Sequence, residues 1–288
     1  MTDRGSPFAP HTTAETAAML DVVGAESEED LFDVPEPVRF DGDLGIEAST
    51  ERAVREDVAG TLAKNADSAE FLGRGHHDHY VPSIVDHLAD RSEFLTSYTQ
   101  YQPEVTQGFL QALFEYQSIL VELTGLGVAN ASMYDPATAL GEAALLSGRV
   151  RSTSGDRVLV PDVLREERRD VLENYVRGAG ITVETYQTRD GNADVEELGE
   201  IIDEGVSMVY VENPNALGAI EESVSEIAAL ADESDALAVL GSDPVALSLL
   251  SEPAAAGIDV VVGDAATLGL GTAFGMGLGL FACREEYL

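Results

Sequence analysis

The sequence predicts an α/β protein in which helices cover a mostly parallel sheet. From about Arg157 onward, strand-like runs rich in valine, leucine and isoleucine alternate with helical segments. This alternation is typical of a parallel sheet that is buried on both faces. The runs are RVLVP, ITVETY, SMVYVEN, ALAVLGSD and DVVVGD. A last run, GLGLFACRE, follows a glycine-rich loop and is a candidate antiparallel partner of this sheet.

The first 65 residues are predicted to form a helical arm, and residues 66–288 a large α/β domain. HTTAETAAMLDVVG has threonine caps, an apolar stripe and Gly24 as a stop signal. SEEDLFDVP and, after a proline-marked loop, STERAVREDVAGTLAKN are predicted as further helices of the arm.

Two helices are expected between the arm and the sheet. A short one, PSIVDHLADR, begins at Pro82, and the main helix begins near Pro103, because proline suits a first helical position. Gly125 is expected to end the main helix. Its apolar residues recur at helical spacing: Val105, Phe109, Leu113, Leu120 and Leu123.

Charge is the dominant global feature of the 288 residues. Asp and Glu total 53 against 16 Lys and Arg, which gives a formal net charge of −37. Such a surface repels nucleic acid and anionic membranes, and at low salt it also repels itself. Molar salt shortens the Debye length from about 10 Å to about 3 Å and removes most of this repulsion. We therefore predict a halophilic protein; an acidic partner-binding face is the alternative interpretation.

The sequence offers few signals for export or cross-linking. The N-terminus lacks the apolar core of a secretory signal, and no apolar run reaches the roughly 18–20 residues that span a bilayer. We therefore expect a cytoplasmic protein without a membrane anchor. The single cysteine, Cys283, excludes an internal disulfide.

Several motifs are weak candidates for chemistry. The HHDH cluster at residues 76–79 suggests a metal site, but adjacent histidines rarely converge on one ion, and a loop that lines a cleft is the alternative. GLGTAFGMGLG matches neither a dinucleotide-binding nor a P-loop motif. The sequence has no GxSxG elbow, and Cys283 lies in a predicted strand, so nothing supports nucleophilic catalysis.

Asp243 follows a predicted strand, at the edge where open α/β sheets bind ligands. In fold-type I pyridoxal-phosphate enzymes, an aspartate in this position pairs with the pyridine nitrogen of the cofactor. A helix cap is the alternative role of Asp243, and both remain open. These enzymes also need a lysine to hold the cofactor. The only lysine is Lys64, in the predicted arm, so the chain is not expected to be a self-sufficient enzyme of this kind.

The segment TSYTQYQPEVTQG, just before the main helix, is rich in tyrosine and glutamine. Tyrosine combines a rigid apolar ring with a hydroxyl group and is common at interfaces. Either a binding surface or ordinary packing at the start of a helix explains this composition.

At this point a family resemblance becomes clear. HYVPSIVDHLADRSEFLTSYTQYQPEVTQGFLQALFEYQSILVELTGLGVANASMYDPATALGEAALL resembles the P-protein family of the glycine cleavage system (glycine dehydrogenase, decarboxylating), in its subunit 1 form. PHTTAETAAMLDVVGAESEEDLF, VENPNALGAIEE, SDPVALSLL and GIDVVVGDAATLGLGTAFG match in the same order. The resemblance therefore covers nearly all of the chain.

The resemblance implies the fold-type I architecture, with the cofactor lysine on a homologous subunit 2. It also implies an oxidoreductase subunit of an α2β2 complex, which decarboxylates glycine and transfers the aminomethyl group to the lipoyl arm of the H-protein. By motif, the chain would line the partner's pyridoxal-phosphate site with Tyr98, Tyr101, Gln102 and Glu104. Weaker cofactor contacts would come from Thr99, Gln107, Asn130, Ser132 and Asp243.

The sequence also departs from the family pattern. Pro136 stands where a glycine is usual, and Arg165-Glu166 replaces a His-Pro pair. FGMG stands where FGGP is typical, and the family's C-terminal portion beyond ACREEYL has no counterpart, so we expect a small C-terminal domain to be missing. A non-catalytic, truncated scaffold subunit is therefore the alternative function. An independent transaminase is disfavoured by the missing lysine.

Overall fold

The computed structural model describes residues 8, 10–32, 34–40, 42–66, 68–69, 80–95, 102–131, 133–150, 155–269 and 277–287. The chain divides into two compact units, Met1–Phe71 and Leu72–Leu288. The domain boundary predicted after residue 65 stays a prediction.

The described residues of the first unit form the α-helices α1 (Thr13–Val23) and α2 (Glu51–Leu62). Thr12 caps α1 in a reciprocal capping box with Glu15, and Gly24 ends it in the left-handed conformation at φ 76°. The helix predicted at SEEDLFDVP is only a three-residue 3-10 turn, Glu29–Leu31. None of the described residues in this unit is buried.

The second unit contains the sheet and the remaining helices. Its helices are α3 (Ser83–Ala89), α4 (Ser92–Leu95), α5 (Gln107–Thr124), α6 (Pro136–Val150), α7 (Glu166–Val176), α8 (Val195–Ile201), α9 (Val224–Glu233) and α10 (Pro244–Leu247). Its strands are β1 (Val128–Ala129), β2 (Arg157–Pro161), β3 (Thr182–Tyr186), β4 (Thr188–Arg189), β5 (Asn192–Ala193), β6 (Val206–Glu212), β7 (Leu237–Ser242), β8 (Val260–Asp264) and β9 (Gly279–Cys283).

The main sheet has seven strands in the order β1-β9-β8-β7-β6-β2-β3. Strands β3, β2, β6, β7 and β8 are parallel, and β9 is antiparallel to both β8 and β1. The prediction of a mostly parallel sheet with a last antiparallel strand is therefore confirmed. The sequence did not predict β1 or the small β4–β5 hairpin, because each of these strands has only two residues.

Two helical layers bury the sheet, one on each face. Residues one position apart in a strand face opposite layers: Val209 packs in the core beneath α8 and α9, whereas Met208 packs beneath α6 and α7. The strands are therefore apolar at consecutive positions, and all seven residues of β6 are buried. This double burial explains why the strands appear in the sequence as continuous apolar runs.

The main helix, α5, begins four residues later than the sequence predicts. Pro103 and Val105 lie in a turn in which several hydrogen bonds share one acceptor, the carbonyl oxygen of Gln102. That oxygen accepts from the Val105 N–H at 3.1 Å, and from the Thr106 N–H at 3.2 Å and hydroxyl at 3.0 Å. The buried Thr106 thus closes the turn before α5 starts at Gln107, and Val105 lies outside the helical stripe, 59% exposed. The end predicted at Gly125 is confirmed, at φ 67°.

Candidate functional site

The carboxyl ends of the parallel strands form the candidate site, because open α/β sheets bind ligands at this edge. Each of the four central strands ends at or just before an acidic residue: Asp162 after β2, Glu212 in β6, Asp243 after β7 and Asp264 in β8. Acidic side chains therefore stand at this edge, and one of them, Glu212, is paired with Arg168. Each of these acidic residues directly ends or follows an apolar run of the sequence. The sequence analysis identified only Asp243 among them.

Asp243 caps helix α10. One oxygen, Oδ1, accepts from the N–H groups of Val245 at 2.9 Å and Ala246 at 3.1 Å. This is the cap geometry that the sequence left open as one of two roles. Contact of Asp243 with a cofactor stays a prediction.

Two other aspartates of the edge also bind the chain's own backbone. Asp162 accepts from the N–H of Thr188 at 3.1 Å and from its hydroxyl at 2.8 Å. Asp264 accepts from the N–H of Ala266 at 2.9 Å. Backbone N–H groups at such turns are the donors that commonly bind phosphate. At these two positions the N–H groups of Thr188 and Ala266 donate to carboxylates of the chain itself.

A buried ion pair at the end of β6 was missed by the sequence analysis. Arg168 of α7 contacts Glu212 at 2.5 Å between Nη1 and Oε1, and the Tyr210 hydroxyl donates to the same oxygen at 3.0 Å. Burial opposes the charged form of Arg168, yet the neighbouring Tyr210 and Glu212 raise its pKa above the ordinary value. Burial, followed by the charge of Glu212, raises the pKa of Tyr210 well above its usual range. The one sequence signal is a glutamate that ends an otherwise apolar strand.

Three of the predicted partner-facing tyrosine-segment residues, Tyr98, Thr99 and Tyr101, lie outside the described residues. Gln102 and Glu104 have exposed side chains in the turn before α5. Gln107 is the first residue of α5, and its side-chain amide donates to the carbonyl of Pro103. The described part of this segment is thus an ordered turn whose polar side chains are accessible.

Asn130 follows β1, where its backbone N–H donates to the Phe281 carbonyl at 2.8 Å. It lines a cavity of about 1130 Å³ between α5 and the β1–β9 side of the sheet. The lining is mainly apolar, with Phe109 and Leu113 from α5 and Met133 from the loop after β1. Ser132, predicted beside Asn130, lies outside the described residues. The predicted residues therefore occupy three places: the turn before α5, the end of β1 and the end of β7.

Tyr116 and Cys283 are the titratable groups of this cavity whose pKa is shifted. Burial, assisted by the charge of Asp264, raises the pKa of Tyr116 to about 12, so its hydroxyl stays protonated and donates to the Gly279 carbonyl at 3.3 Å. Burial also raises the pKa of the Cys283 thiol. The raised pKa keeps the thiol protonated, and a protonated thiol is a poor nucleophile.

The histidine cluster at residues 76–79 lies outside the described residues. Elsewhere in the described ranges, no group of three or more His, Cys, Asp or Glu side chains is placed to hold a metal ion. Nor does any helix of those ranges combine the length and apolarity that a membrane crossing needs.

The described edge lacks the lysine that holds pyridoxal phosphate in enzymes of this type. Asp243 has the carboxylate that pairs with a pyridine nitrogen: its Oδ1 caps a helix, and Oδ2 takes part in neither cap bond. The only lysine of the 288 residues, Lys64, lies just beyond α2 in the first unit. The second unit therefore contains no lysine that could hold the cofactor.

Comparison with known sequences places the chain in one family. The profile of the glycine cleavage system P-protein family matches residues 6–288. A Halobacterium salinarum protein named "Probable glycine dehydrogenase (decarboxylating) subunit 1" is 57% identical over 284 residues, 99% of this chain and 64% of that protein. A Carboxydothermus hydrogenoformans protein of the same name is 43% identical over 285 residues, 97% of this chain and 64% of that protein. The chain thus spans 64% of the length of these relatives.

Comparison with solved structures points to the same family. The crystal structure of a glycine decarboxylase (P-protein) of the glycine cleavage system, in inhibitor-bound form, matches with a TM-score of 0.80 and 42% identity. The match covers 98% of this chain and 64% of that one. A sphingosine-1-phosphate lyase of Burkholderia pseudomallei matches with a TM-score of 0.61 and 14% identity, over 86% of this chain and 62% of that one. At 14% identity the second match shows the fold alone. The predicted fold-type I architecture is confirmed.

Proposed function

Because the chain belongs to the glycine cleavage system P-protein family, we propose that it acts as subunit 1 of a decarboxylating glycine dehydrogenase. Its partner is a homologous subunit 2 that carries the cofactor lysine. Together the two subunits remove the carboxylate of glycine as CO2 and transfer the aminomethyl group to the lipoyl arm of the H-protein.

The observation that carries this proposal is the family match over residues 6–288 in a sequence whose only lysine is Lys64. Pyridoxal phosphate supplies the electron sink for decarboxylation and needs a lysine near the carboxyl edge of a sheet. The cofactor therefore belongs to the partner, and this chain provides protein groups around it.

The contribution we assign to this chain is one wall of the partner's site. Tyr98 and Tyr101 would face glycine and the cofactor, because a phenol hydroxyl can donate while its ring excludes water. The exposed Gln102 and Glu104 would extend this wall, and Gln107 would hold the turn through its bond to Pro103. Supporting contacts would come from Thr99, Asn130, Ser132 and, weakly, Asp243.

The assembly we propose is an α2β2 complex in the cytoplasm of a halophile. The net charge of −37 supports a salt-rich solvent, and the Halobacterium relative is compatible with it. This charge also disfavours nucleic acid as a partner. The lipoylated H-protein is the proposed acceptor of the product.

A non-catalytic scaffold subunit is the second candidate function. The cap geometry of Asp243 favours it, because a carboxylate that binds the backbone of α10 has a structural role without any ligand. In that case the chain would assemble with subunit 2 but supply no group to the reaction.

Reconstitution tests the proposal directly. Glycine–bicarbonate exchange should be absent with this chain alone and should appear when subunit 2 and lipoylated H-protein are added. Subunit 2 without this chain is the control and should show little exchange. If this chain, supplied with pyridoxal phosphate, catalysed exchange without subunit 2, the proposal would be wrong.

Conservative tyrosine variants separate the two candidate functions. Y98F and Y101F should each lower the exchange rate of the reconstituted complex at least tenfold, about 1.4 kcal/mol of transition-state stabilisation, if their hydroxyls serve the reaction. Y80F is the matched control, because Tyr80 is 86% exposed in another part of the chain. Complex formation, measured by sedimentation, should be unchanged in all three. Full exchange activity in Y98F and Y101F would favour the scaffold.

A further inference from the structure

The first three turns of α5 have an apolar face that the described part of the chain leaves uncovered. Only Leu120 and Thr124, near the end of this helix, are buried. Between residues 107 and 117 every position is exposed or half-buried, and the side chain of Phe114 is 64% exposed. An amphipathic helix normally buries its apolar stripe against the rest of the protein. This half of α5 therefore lacks most of the cover that an apolar helix face usually has.

A polar stripe runs along α5 on the side away from the cavity that this helix lines. Its four members recur at helical spacing, are exposed and do not line the cavity: Gln111, Glu115, Ser118 and Glu122. The opposite side carries Phe109, Leu113 and Tyr116, which do line it. The helix thus already has a complete solvent-facing side, and its open apolar side is not a second one.

The cavity also differs from the rest of the chain in charge. Charged residues make up 24% of the sequence, so about four of the seventeen residues that line the cavity would be charged at that frequency. None of these described lining residues is charged. The core of a protein–protein interface is likewise depleted of charge. On a chain of net charge −37, this is a place where another acidic chain can approach without bringing carboxylates together.

The cavity lies close to the turn that the proposed function places at the partner's site. Gln102 and Glu104 of that turn have exposed side chains, and α5 begins at Gln107. Ala112, which lines the cavity, lies only about 8 Å farther along the helix axis at about 1.5 Å per residue. A stable interface covers about 800 Å² of each partner, a patch roughly 30 Å across. A partner that covers the turn therefore also reaches the cavity.

We propose that subunit 2 covers this cavity with an apolar, uncharged segment and so completes the packing of α5. The assignment rests on the pairing with subunit 2 proposed above, and it adds the surface through which the two chains are held together. Subunit 2 fits this surface better than the H-protein does. An open apolar face suits a permanent partner, whereas a carrier that leaves after each turnover suits a smaller and more polar contact.

Two variants of α5 test the proposal, because each adds one carboxylate to the same helix. A112E places it at an exposed position inside the cavity, and S118E places it in the polar stripe outside the cavity. Since both positions are exposed, neither change removes a buried group. Sedimentation measures the affinity of each chain for subunit 2 in molar KCl, which screens the repulsion between acidic chains. Circular dichroism checks that both variants fold like the wild type.

A112E should bind subunit 2 at least about tenfold more weakly than the wild type, whereas S118E should stay within about twofold of it. Equal affinities of the two variants would overturn the inference and leave the pairing of the subunits intact. A wild-type chain that did not bind subunit 2 at all would refute the proposed function, and the inference with it. If the wild-type chain dimerised alone and only A112E abolished the dimer, a second copy would occupy the cavity and the inference would be wrong.

Discussion

Removal of Arg168 should be among the most damaging single substitutions in the second unit. Its guanidinium lies 2.5 Å from Glu212, whose side chain is only 4% exposed. In R168M the methionine keeps the apolar contacts of the stem, while Glu212 loses its cation. Removing one partner of a buried ion pair typically costs about 3–5 kcal/mol.

The structure places R168M at the lower end of that range, near 3 kcal/mol. Arg168 is still 19% exposed, and the Tyr210 hydroxyl continues to donate to Glu212 at 3.0 Å in the variant. For a unit of this size, such a loss lowers the melting temperature by roughly 6–12 °C. The double variant R168M/E212M, which removes both charges of the pair, should recover most of the loss.

Urea unfolding in molar KCl measures these differences. The chain has no tryptophan, so far-UV circular dichroism is the appropriate signal. R169M is the control, since it removes an arginine from the next position of the same helix, and it should stay within about 0.5 kcal/mol of the wild type. If R168M lost less than about 1 kcal/mol, or no more than R169M, the pair would not be the buried, coupled unit inferred from its contacts.

Two further predictions concern pH and salt. The pKa of Tyr116 is raised from 10.0 to about 12 by burial and by Asp264, so the stability it contributes is fully present below pH 10 and is lost as pH rises toward 12. Y116F should therefore lose less stability than the wild type over that range in urea titrations, and equal losses would contradict this assignment. With a net charge of −37, the chain should also become markedly more heat-stable as KCl rises from about 0.1 M to about 1 M and the Debye length falls from about 10 to about 3 Å. An unchanged melting temperature would instead favour an acidic partner-binding face.

Much of the fold could be predicted from local sequence because its strands are buried on both sides. A run such as SMVYVEN is continuously apolar, and in the structure every residue of β6 is buried. The start of α5 could not be predicted in the same way. Pro103 favours a first helical position locally, but Thr106 instead closes a turn on the Gln102 carbonyl four residues before it. Thr106 is fully buried, and this burial depends on tertiary packing that sequence spacing does not reveal.

The candidate site was less predictable than the fold. Asp243 was identified because its offset from an apolar strand is a local property. The Arg168–Glu212 pair joins residues 44 positions apart, and no spacing rule connects an arginine in a charged helix with a glutamate in a strand.

The position of β9 has a consequence for how the sheet forms during synthesis. It lies between β8 and β1, and Ala129 of β1 pairs with Ala282. About 150 residues must therefore follow β1 before its partner leaves the ribosome, a wait of roughly 8–30 s at ordinary elongation rates. During that interval β1 lacks its partner strand, and its backbone hydrogen-bonding groups are open to other chains in the cell. This end of the sheet is where we expect nascent chains to need a chaperone.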